Sequence, residues 1–317
     1  MFKQSTMPTV LIAGGTGLVG KRLTQLLLER NYSVIILSRT RCETNSVTPR
    51  LSFALWDVEN GKIDIHALQK ADYIINLAGA NVAGKRWNDA YKKQMLESRT
   101  NSGKLIATAL AENENKVEAV ICASAIGWYG KDNEKTLLEG FHEDAPPAND
   151  FFGNTCKLWE QSTQTITTLN KRLVYLRIGI VLDKNSGAFA EFAKPLRTHI
   201  AAIFGNGKQI LSWIHIDDLC NMFIHAIEQK YVLNAYNAVA PFPVSNKKFL
   251  KVMAAQFKSK HFLFIHIPAF LLKIILGEFA NELLKSTTVS ADKIRKEGFQ
   301  FLYPDIETAV KDLYSGK

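Results

Sequence analysis

Cysteine is scarce in this chain, and the cysteines that are present follow no recognisable pattern. Cys42, Cys122, Cys156 and Cys220 are separated by 80, 34 and 64 residues. No two of them form a C-x-x-C pair, and no histidine stands at the spacing typical of a zinc site. The sequence therefore predicts no metal site and no disulfide framework, and it favours a reducing compartment.

Long apolar runs are missing as well. The longest apolar stretch, residues 262–276, is interrupted by His266, Pro268 and Lys273, whereas a membrane-spanning helix needs about 20 apolar residues. The first eight residues are polar and contain no run of the signal-peptide type. We therefore expect a cytoplasmic protein without a membrane partner.

Charges of one sign form no long block. Lysine and arginine outnumber aspartate and glutamate by 39 to 30, and no five consecutive residues carry the same charge. Such a surplus suits anionic small molecules, nucleic acid or an acidic surface. Because the basic residues are dispersed, we expect a solvated basic face and no nucleic-acid site.

What is present is the composition of a packed globular protein. The 317 residues are 47% hydrophobic and 22% charged, which excludes disorder and suits about two domains. Short apolar runs predict strands at 10–13, 34–37, 73–76, 119–122 and 174–177. Helical spacing predicts helices at 18–30, 89–112 and 154–170. This alternation predicts an α/β fold with a parallel sheet covered on both faces.

A glycine-rich segment joins the first predicted strand to the first predicted helix. It reads GGTGLVG over residues 14–20. Glycine allows the tight turn and the close approach of a pyrophosphate, and the helix N-terminus attracts the phosphates. The position of the motif in a β-α-β unit favours dinucleotide binding over a merely structural turn. The residues expected to contact the cofactor are Gly14, Thr16, Gly17, Leu18, Val19 and Gly20.

No acidic residue ends the second predicted strand, where one would bond the ribose 2′-hydroxyl of NAD. The chain has Ser38 and Arg39 there, followed by Arg41. A hydroxyl and a guanidinium suit a 2′-phosphate, so the sequence predicts NADP, with NAD less favoured. Arg39 as a plain surface residue is the alternative.

Further cofactor contacts are expected where other strands end. Asp57 follows the short segment at 53–56 and is predicted to contact the adenine, with a solvated loop acid as the alternative. Small residues after the strand at 73–76 would let the cofactor lie close, and Ile178 follows the strand at 174–177. The predicted contacts are Leu77, Ala78, Gly79 and Ile178.

Several motifs in order resemble the extended short-chain dehydrogenase/reductase superfamily: GGTGLVG at 14–20, NLAG at 76–79, SAIGWYG at 124–130 and WIHIDD at 213–218. Others are similar to its atypical, epimerase-like subgroup with a small C-terminal domain of unknown function: NLAGANVAGKRW at 76–87, SRTNS at 98–102, CKLWE at 156–160 and GNGKQILSWIHIDD at 205–218. The resemblance implies a doubly wound parallel Rossmann sheet with a small, mostly helical C-terminal substrate lobe. We expect a Rossmann domain over 8–240, with 179–215 contributing to the substrate lobe, and a C-terminal lobe over 241–317.

The sequence departs from the superfamily at the catalytic positions. The resemblance implies Ser, Tyr and Lys there, but Phe152 stands at the Tyr position and Cys156 at the Lys position. Ser124 matches the Ser, although it lies one residue further from Tyr129 than usual. Arg99 stands where the superfamily often has Asn, which implies a place near the cofactor.

These substitutions remove the expected proton donor. Phe152 cannot transfer a proton, and a thiol with a pKa of about 8.5 is no fixed positive charge. Cys156 is either a thiolate acid/base activated by Arg99 or the helix terminus, or a small apolar residue packed against the cofactor. Tyr129 and the pair His215 and Asp217 are substitute acids, and that pair is alternatively a hydrogen-bonded anchor of the turn at 213–218.

Substrate contacts are predicted at four residues. Arg86 and Trp87 suit a planar or anionic group, with an interdomain salt bridge and a packed indole as the alternative. Trp213 and His215 belong to a loop expected to fold over the pocket. For residues 262–276 we expect packing against the Rossmann core, with an amphipathic membrane-surface helix as the alternative.

Two functions follow from these observations. The first is an NADP-dependent oxidoreductase or epimerase that acts on a small polar substrate such as a nucleotide sugar, with Ser124 orienting the substrate. The second is a non-catalytic NADP(H)-binding redox sensor or partner-binding protein, which the missing Tyr and Lys favour. The chain is expected to be a monomer or a homodimer.

Overall fold

The computed structural model describes residues 7–40, 48–257 and 261–315. Arg41 and Cys42, which the sequence analysis named, lie outside this part of the chain. The strands are β1 Thr9–Ala13, β2 Ser33–Ser38, β3 Leu51–Asp57, β4 Lys62–Ile63, β5 Tyr73–Asn76, β6 Ala119–Ala125, β7 Arg172–Ile178, β8 Ile180–Leu182, β9 Ile200–Phe204, β10 Ile210–Leu211, β11 Trp213–His215, β12 Asn234–Ala238, β13 Val244–Ser245 and β14 Leu263–Ile267. The helices are α1 Leu18–Glu29, α2 Ile65–Lys70, α3 Asp89–Glu112, α4 Glu134–Glu139, α5 Phe151–Gln161, α6 Gly187–Leu196, α7 Ile216–Glu228, α8 Asn246–Ala255, α9 Ala269–Leu276, α10 Phe279–Leu284, α11 Asp292–Lys296 and α12 Ile306–Ser315.

The central sheet has the strand order β12-β7-β6-β5-β1-β2-β3-β4. Every neighbouring pair is parallel except β3 and β4. This confirms the predicted doubly wound Rossmann fold. The predicted helix over 154–170 is wrong in its second half, because α5 ends at Gln161 and a 3-10 turn covers Gln164–Leu169.

Both faces of the sheet are buried, which is why its strands are continuous apolar runs. Successive side chains of a strand point to opposite faces. Val10 and Ile12 of β1 therefore join the core beneath α1 and α7, whereas Leu11 and Ala13 join the core beneath α2 and α3.

The strand order reverses between β1 and β5. From β1 the chain continues outward to β2 and β3, whereas β5, β6 and β7 continue in the opposite direction. In such sheets a crevice opens at the carboxyl ends of the two strands, and ligands bind there. The glycine-rich segment after β1 and the NLAG segment after β5 meet at this crevice.

A third core holds together the part of the chain that follows β7. Phe189 of α6, Trp213 of β11, Phe249 of α8 and Val310 of α12 are members of this core. Short strand pairs, β8 with β11, β9 with β14 and β10 with β13, complete it. Segments far apart in the sequence thus pack beside the carboxyl end of the central sheet.

Helix α9 contradicts the prediction that residues 262–276 pack against the Rossmann core. Leu272 is its buried residue, while Phe270, Leu271, Ile274 and Ile275 are exposed. Within the described ranges, no helix has the length and apolar character needed to cross a membrane. The apolar face of α9 therefore points to solvent.

Candidate functional site

The glycine-rich loop is pressed against the end of β5. Gly14 has a φ of +81°, and a Cβ there would lie 2.8 Å from the carbonyl carbon of Leu77. A Cβ on Gly20 would lie 2.4 Å from the oxygen of Gly14. Neither position has space for a side chain, so the tight turn and the close approach of α1 to the loop both require glycine.

The N-terminus of α1 is open. Gly17 is its N-cap, no side chain caps it, and its first turn contains no acidic residue. Thr16 and Gly17 are exposed, and Leu18 and Val19 are half-buried. The free N–H groups and the helix dipole favour an anion at this end. The loop therefore fits the diphosphate of a dinucleotide.

The end of β2 carries an exposed cation. Ser38 is half-buried, and its hydroxyl accepts a hydrogen bond from the backbone N–H of Thr40 at 3.4 Å. Arg39 is exposed, and no carboxylate of the described residues lies within ion-pair distance of its guanidinium. A free guanidinium beside the crevice suits a phosphate group.

Asp57 at the end of β3 stabilises the turn that follows. Its carboxylate accepts hydrogen bonds from the backbone N–H groups of Glu59 and Asn60, both at 3.1 Å, and from the Asn60 amide at 2.7 Å. These bonds, the one from the Asn60 side chain above all, lower the pKa of Asp57. The carboxylate thus acts within its own loop, which is the alternative to an adenine contact.

The residues after β5 form the other wall of the crevice. Leu77 donates its backbone N–H to the oxygen of Ala13 at 2.8 Å, and the buried Asn76 side chain accepts from the Ala78 N–H at 3.1 Å. Leu77 and Ala78 are half-buried and Gly79 is exposed. Further along the edge, Ile178 is half-buried at the end of β7.

Arg99 of α3 brings a second cation to this wall. Its guanidinium donates to the carbonyl oxygens of Met95 at 2.8 Å and Ala80 at 3.0 Å, and it lies 5.1 Å from the ring of Trp159. Burial lowers the pKa of Arg99, and none of the ion pairs among the described residues includes it. Two bonds leave three of its five N–H donors for another acceptor, so Arg99 can bind an anionic or hydroxyl group.

Ser124 does not lie where the sequence analysis placed it. The side chain is 2% exposed, and its Oγ donates to Oε1 of Glu160 at 2.7 Å. Glu160 also accepts from Nε of Arg177 at 2.9 Å and from Nη2 at 3.1 Å. Ser124 thus points into this buried ion pair. The prediction that it orients a substrate is therefore not supported.

Tyr129 is likewise a structural residue. It is 0% exposed, donates its hydroxyl to Oδ1 of Asn237 at 2.6 Å, and accepts from Nη1 of Arg177 at 3.0 Å. Its ring stacks on Phe141 at a centroid distance of 5.1 Å. Burial raises its pKa. The Tyr129 hydroxyl is enclosed and uncharged, and it already donates one hydrogen bond and accepts another. It therefore cannot reach a substrate as a proton donor, which corrects the prediction of a substitute acid.

The side chains at the two positions where the superfamily has Tyr and Lys are apolar or uncharged. Cys156 is 2% exposed, and its Sγ lies 3.7 Å from the oxygen of Ala125. Burial raises the pKa of Cys156 to about 12. The burial favours the packed, uncharged thiol over the expected low-pKa thiolate, since Glu160 raises the pKa further and Arg99 only partly offsets both effects. Phe152, one turn earlier on α5, packs against Trp87 at 5.1 Å between ring centroids.

Of the predicted substrate residues Arg86 and Trp87, the first is exposed and the second is enclosed. Arg86 is exposed and lies against Gly277 at the end of α9. Trp87 is 9% exposed and packs against Phe152 and Phe279. The indole thus joins the Rossmann part to α10, as the packed alternative required.

Trp213 and His215 are buried, which corrects their prediction as substrate contacts. Each is 1% exposed, and the indole N–H of Trp213 donates to the oxygen of Phe242 at 3.1 Å. Nδ1 of His215 accepts from the backbone N–H of Asp217 at 3.2 Å, and burial lowers its pKa. Asp217 itself forms an ion pair with Arg22 at 2.6 Å. The turn at 213–218 is a structural anchor.

Comparison with known proteins identifies the family. The model of the "NAD dependent epimerase/dehydratase family" matches residues 10–239, and a domain of unknown function, DUF1731, matches residues 267–313. This chain belongs to the NAD dependent epimerase/dehydratase family. The resemblance to the atypical epimerase-like subgroup is confirmed by both matches.

Three relatives of this family member are informative. Epimerase family protein YfhF of Bacillus subtilis is 33% identical over 308 residues, which cover 97% of this chain and 98% of that protein. The crystal structure of human epimerase family protein SDR39U1 (isoform 2) with NADPH has a TM-score of 0.84 at 28% identity, covering 98% of this chain and 100% of that one. A nucleoside-diphosphate sugar epimerase from Corynebacterium glutamicum has a TM-score of 0.74 at 30% identity, covering 96% of this chain and 57% of that one.

Sequence reasoning missed the buried network around Glu160 and Arg177. Both are charged, yet Arg177 is 3% exposed and Glu160 is 8% exposed. The sequence did contain a signal for this network. Arg177 lies at the end of an apolar strand run, and Glu160 lies one helical turn after Cys156. Among the described residues, no cluster of His, Cys, Asp and Glu could hold a metal ion.

Proposed function

We propose that this epimerase-family protein binds NADP(H) at the crevice between β1 and β5 and acts on a small polar substrate, such as a nucleotide sugar, by oxidoreduction or epimerisation. The open N-terminus of α1 behind the loop at 14–20 carries the proposal. Two relatives support it, since the human protein was crystallised with NADPH and the Corynebacterium protein is named a nucleoside-diphosphate sugar epimerase. When bound, the nicotinamide would supply hydride chemistry.

The residues of this chain would divide the binding as follows. The loop from Gly14 to Gly20 and the first turn of α1 would hold the diphosphate, since backbone N–H groups there have no partner within the helix. Arg39 would hold the 2′-phosphate, with Ser38 beside it. Arg99 would donate its remaining N–H groups to a hydroxyl or anionic group near Gly79, and Arg86 would face the substrate.

Cofactor choice tests this proposal. We expect wild-type protein to bind NADPH about tenfold or more tightly than NADH, because a guanidinium–phosphate contact contributes at least about 1.4 kcal/mol. Arg39→Ala should abolish the preference, measured by quenching of tryptophan fluorescence. Arg197→Ala, which removes an exposed arginine of α6's C-cap, is the matched control. Equal affinities of wild type for the two cofactors would refute the choice of NADP.

The loop itself is tested by a pair of glycine substitutions. Gly14→Ala and Gly61→Ala both place a side chain at positive φ, but only Gly14 is crowded, since nothing lies within 4 Å of a Cβ on Gly61. We expect Gly14→Ala alone to lose NADPH binding in protein that circular dichroism shows to be folded. A similar loss of NADPH binding in both variants would mean that backbone strain causes the loss, and it would contradict the proposed site.

A non-catalytic NADP(H) sensor is the second candidate. The observation that favours it is the absence of a titrating group at positions 124, 152 and 156: a hydroxyl bonded to Glu160, a phenyl ring and a buried thiol. Incubation of the NADPH complex with a panel of nucleotide sugars, followed by nicotinamide absorbance and product analysis, separates the two. Turnover that falls in Arg99→Gln supports the enzyme, and tight NADPH binding without turnover supports the sensor.

A further inference from the structure

Helix α9 presents an apolar face to solvent. Phe270, Leu271, Ile274 and Ile275 are 66%, 37%, 63% and 60% exposed, whereas Leu272 is 5% exposed. At 3.6 residues per turn the four exposed side chains cover a continuous arc of about 140°, and Leu272 lies outside this arc. This is the reverse of a surface helix in a soluble domain, whose apolar stripe faces the core.

The segment that contains this face is rich in positive charge. From residue 229 to residue 277 the sequence contains seven lysines and no aspartate or glutamate. Lys273 is exposed at the edge of the apolar arc, and Lys247 and Lys251 of α8 are exposed as well. None of the ion pairs among the described residues includes these three lysines.

The helix that carries Lys247 and Lys251 is linked to α9 through two paired strands. Helix α8 packs against β9, β9 pairs with β14 in parallel register, and β14 leads through Pro268 into α9. The nearest acid along the chain, Glu278, follows the helix and pairs with Lys92. Lys248 of α8 pairs with Glu307 at 3.1 Å. The segment from 229 to 277 therefore carries a net positive charge.

We propose that the apolar face of α9 docks onto the surface of an anionic lipid bilayer. An apolar face flanked by lysines is the combination that inserts into the headgroup boundary and is attracted by anionic lipids. A second copy of this chain fits less well, because a two-fold contact through α9 would bring the unpaired lysines of both copies together. The helix has eight residues, so it lies in the membrane surface.

Docking through α9 would also fix which part of the Rossmann domain lies next to the membrane. Helix α9 ends beside Gly277, against which the Arg86 side chain lies, and Phe279 of α10 packs on Trp87. A bilayer bound to α9 would therefore adjoin the segment at 80–87. The docking is independent of the proposed function, since it needs no cofactor.

Sedimentation of the full chain with lipid vesicles tests the docking. We expect about tenfold or stronger binding to phosphatidylcholine vesicles containing phosphatidylglycerol than to phosphatidylcholine alone, and weaker binding as salt is raised. Phe270→Asn/Ile274→Asn should lower the binding at least about tenfold, because it removes the inserted side chains. Lys273→Glu should lower binding to the anionic vesicles alone.

The control is Leu138→Asn, which removes a leucine on α4 that is 89% exposed and should leave binding unchanged. Thermal unfolding checks that every variant is folded. Absence of binding to anionic vesicles, or binding that Phe270→Asn/Ile274→Asn leaves intact, overturns the proposal. So does a concentration-dependent dimer without lipid that the same double substitution dissociates, since the occupant would then be a second copy.

Discussion

Helix α1 carries five leucines and helix α9 three leucines and two isoleucines, yet the two helices use them in opposite ways. Helix α1 buries Leu23 and Leu27 against the central sheet and exposes Lys21 and Gln25. Helix α9 buries Leu272 and exposes apolar side chains over most of its remaining surface. The difference shows that an apolar sequence indicates a buried helix only where a sheet or another helix is available to cover it.

The same contrast separates the two ends of the molecule. Around the central sheet, apolar residues are covered on both faces, and even the charged pair of Glu160 and Arg177 is enclosed. Around α9, apolar residues meet solvent, and Lys273 of the same helix is in none of the ion pairs that the described residues form. The region around the central sheet stabilises the fold, whereas the exposed face of α9 is suited to contact with another molecule or a membrane.

The largest expected effect is the loss of one partner of the buried ion pair. Glu160→Gln should lower the free energy of unfolding by about 3–5 kcal/mol, because it leaves the Arg177 charge buried without compensation. The measurement is urea unfolding. Glu191→Gln, which breaks the exposed pair with Lys194, should cost about 0–1 kcal/mol, and equal losses in the two variants would contradict the contrast between the regions.

A pair of aliphatic truncations tests the contrast directly. Leu219→Ala on α7, where the side chain is 0% exposed, should lower the free energy of unfolding by about 2–5 kcal/mol. Ile274→Ala on α9 should change it by about 0.5 kcal/mol or less, because little contact is lost. A loss of several kcal/mol at Ile274, again from urea unfolding, would mean that the face is covered in solution.

Asp218 of α7 ties the segment before α12 to the central-sheet side of the molecule and should respond to pH. Its carboxylate accepts from the backbone N–H groups of Leu302 at 2.7 Å and Tyr303 at 3.0 Å, and burial raises its pKa to about 6. Between pH 4 and 6 the folded chain keeps a proton that the unfolded chain has released. The contribution of Asp218 is therefore full below its unfolded pKa and is lost as pH rises through the folded pKa, by about 3 kcal/mol.

Asp218→Asn removes this titration. Its stability relative to wild type should rise by about 2.4 kcal/mol between pH 4 and pH 7, measured by urea unfolding at both pH values. Asp292→Asn, at an exposed carboxylate of α11, should follow the wild-type curve. A constant difference between Asp218→Asn and wild type would show that Asp218 titrates normally.

The smallest expected effect concerns Cys156. With a pKa of about 12, its thiol is neutral near pH 8, and alkylation by iodoacetamide should be about a hundredfold or more slower than in urea. A Cys42→Ser background leaves the three buried cysteines, and mass spectrometry identifies the modified residue. Rapid alkylation of Cys156 in the folded chain would restore the thiolate hypothesis.

Much of the cofactor crevice was predictable because its signals are local. Gly14 and Gly20 could be predicted because the tight turn between a strand and a helix requires glycine. Arg39 could be predicted because it directly follows the end of β2. The catalytic region was not predictable in the same way. Ser124 finds its partner 36 residues away and Tyr129 finds its partner 108 residues away, and no sequence spacing shows such contacts.

The alternation of strands and helices, the glycine loop and the replacement of the catalytic pair by Phe152 and Cys156 can all be read from the amino-acid sequence. These features depend on residue type and on neighbours along the chain. That Ser124 faces Glu160 and that α9 turns its apolar face outward emerges only from the folded chain. The physical reason is that a side chain's direction depends on which distant segments cover it, and burial then sets its charge, its partners and its reactivity.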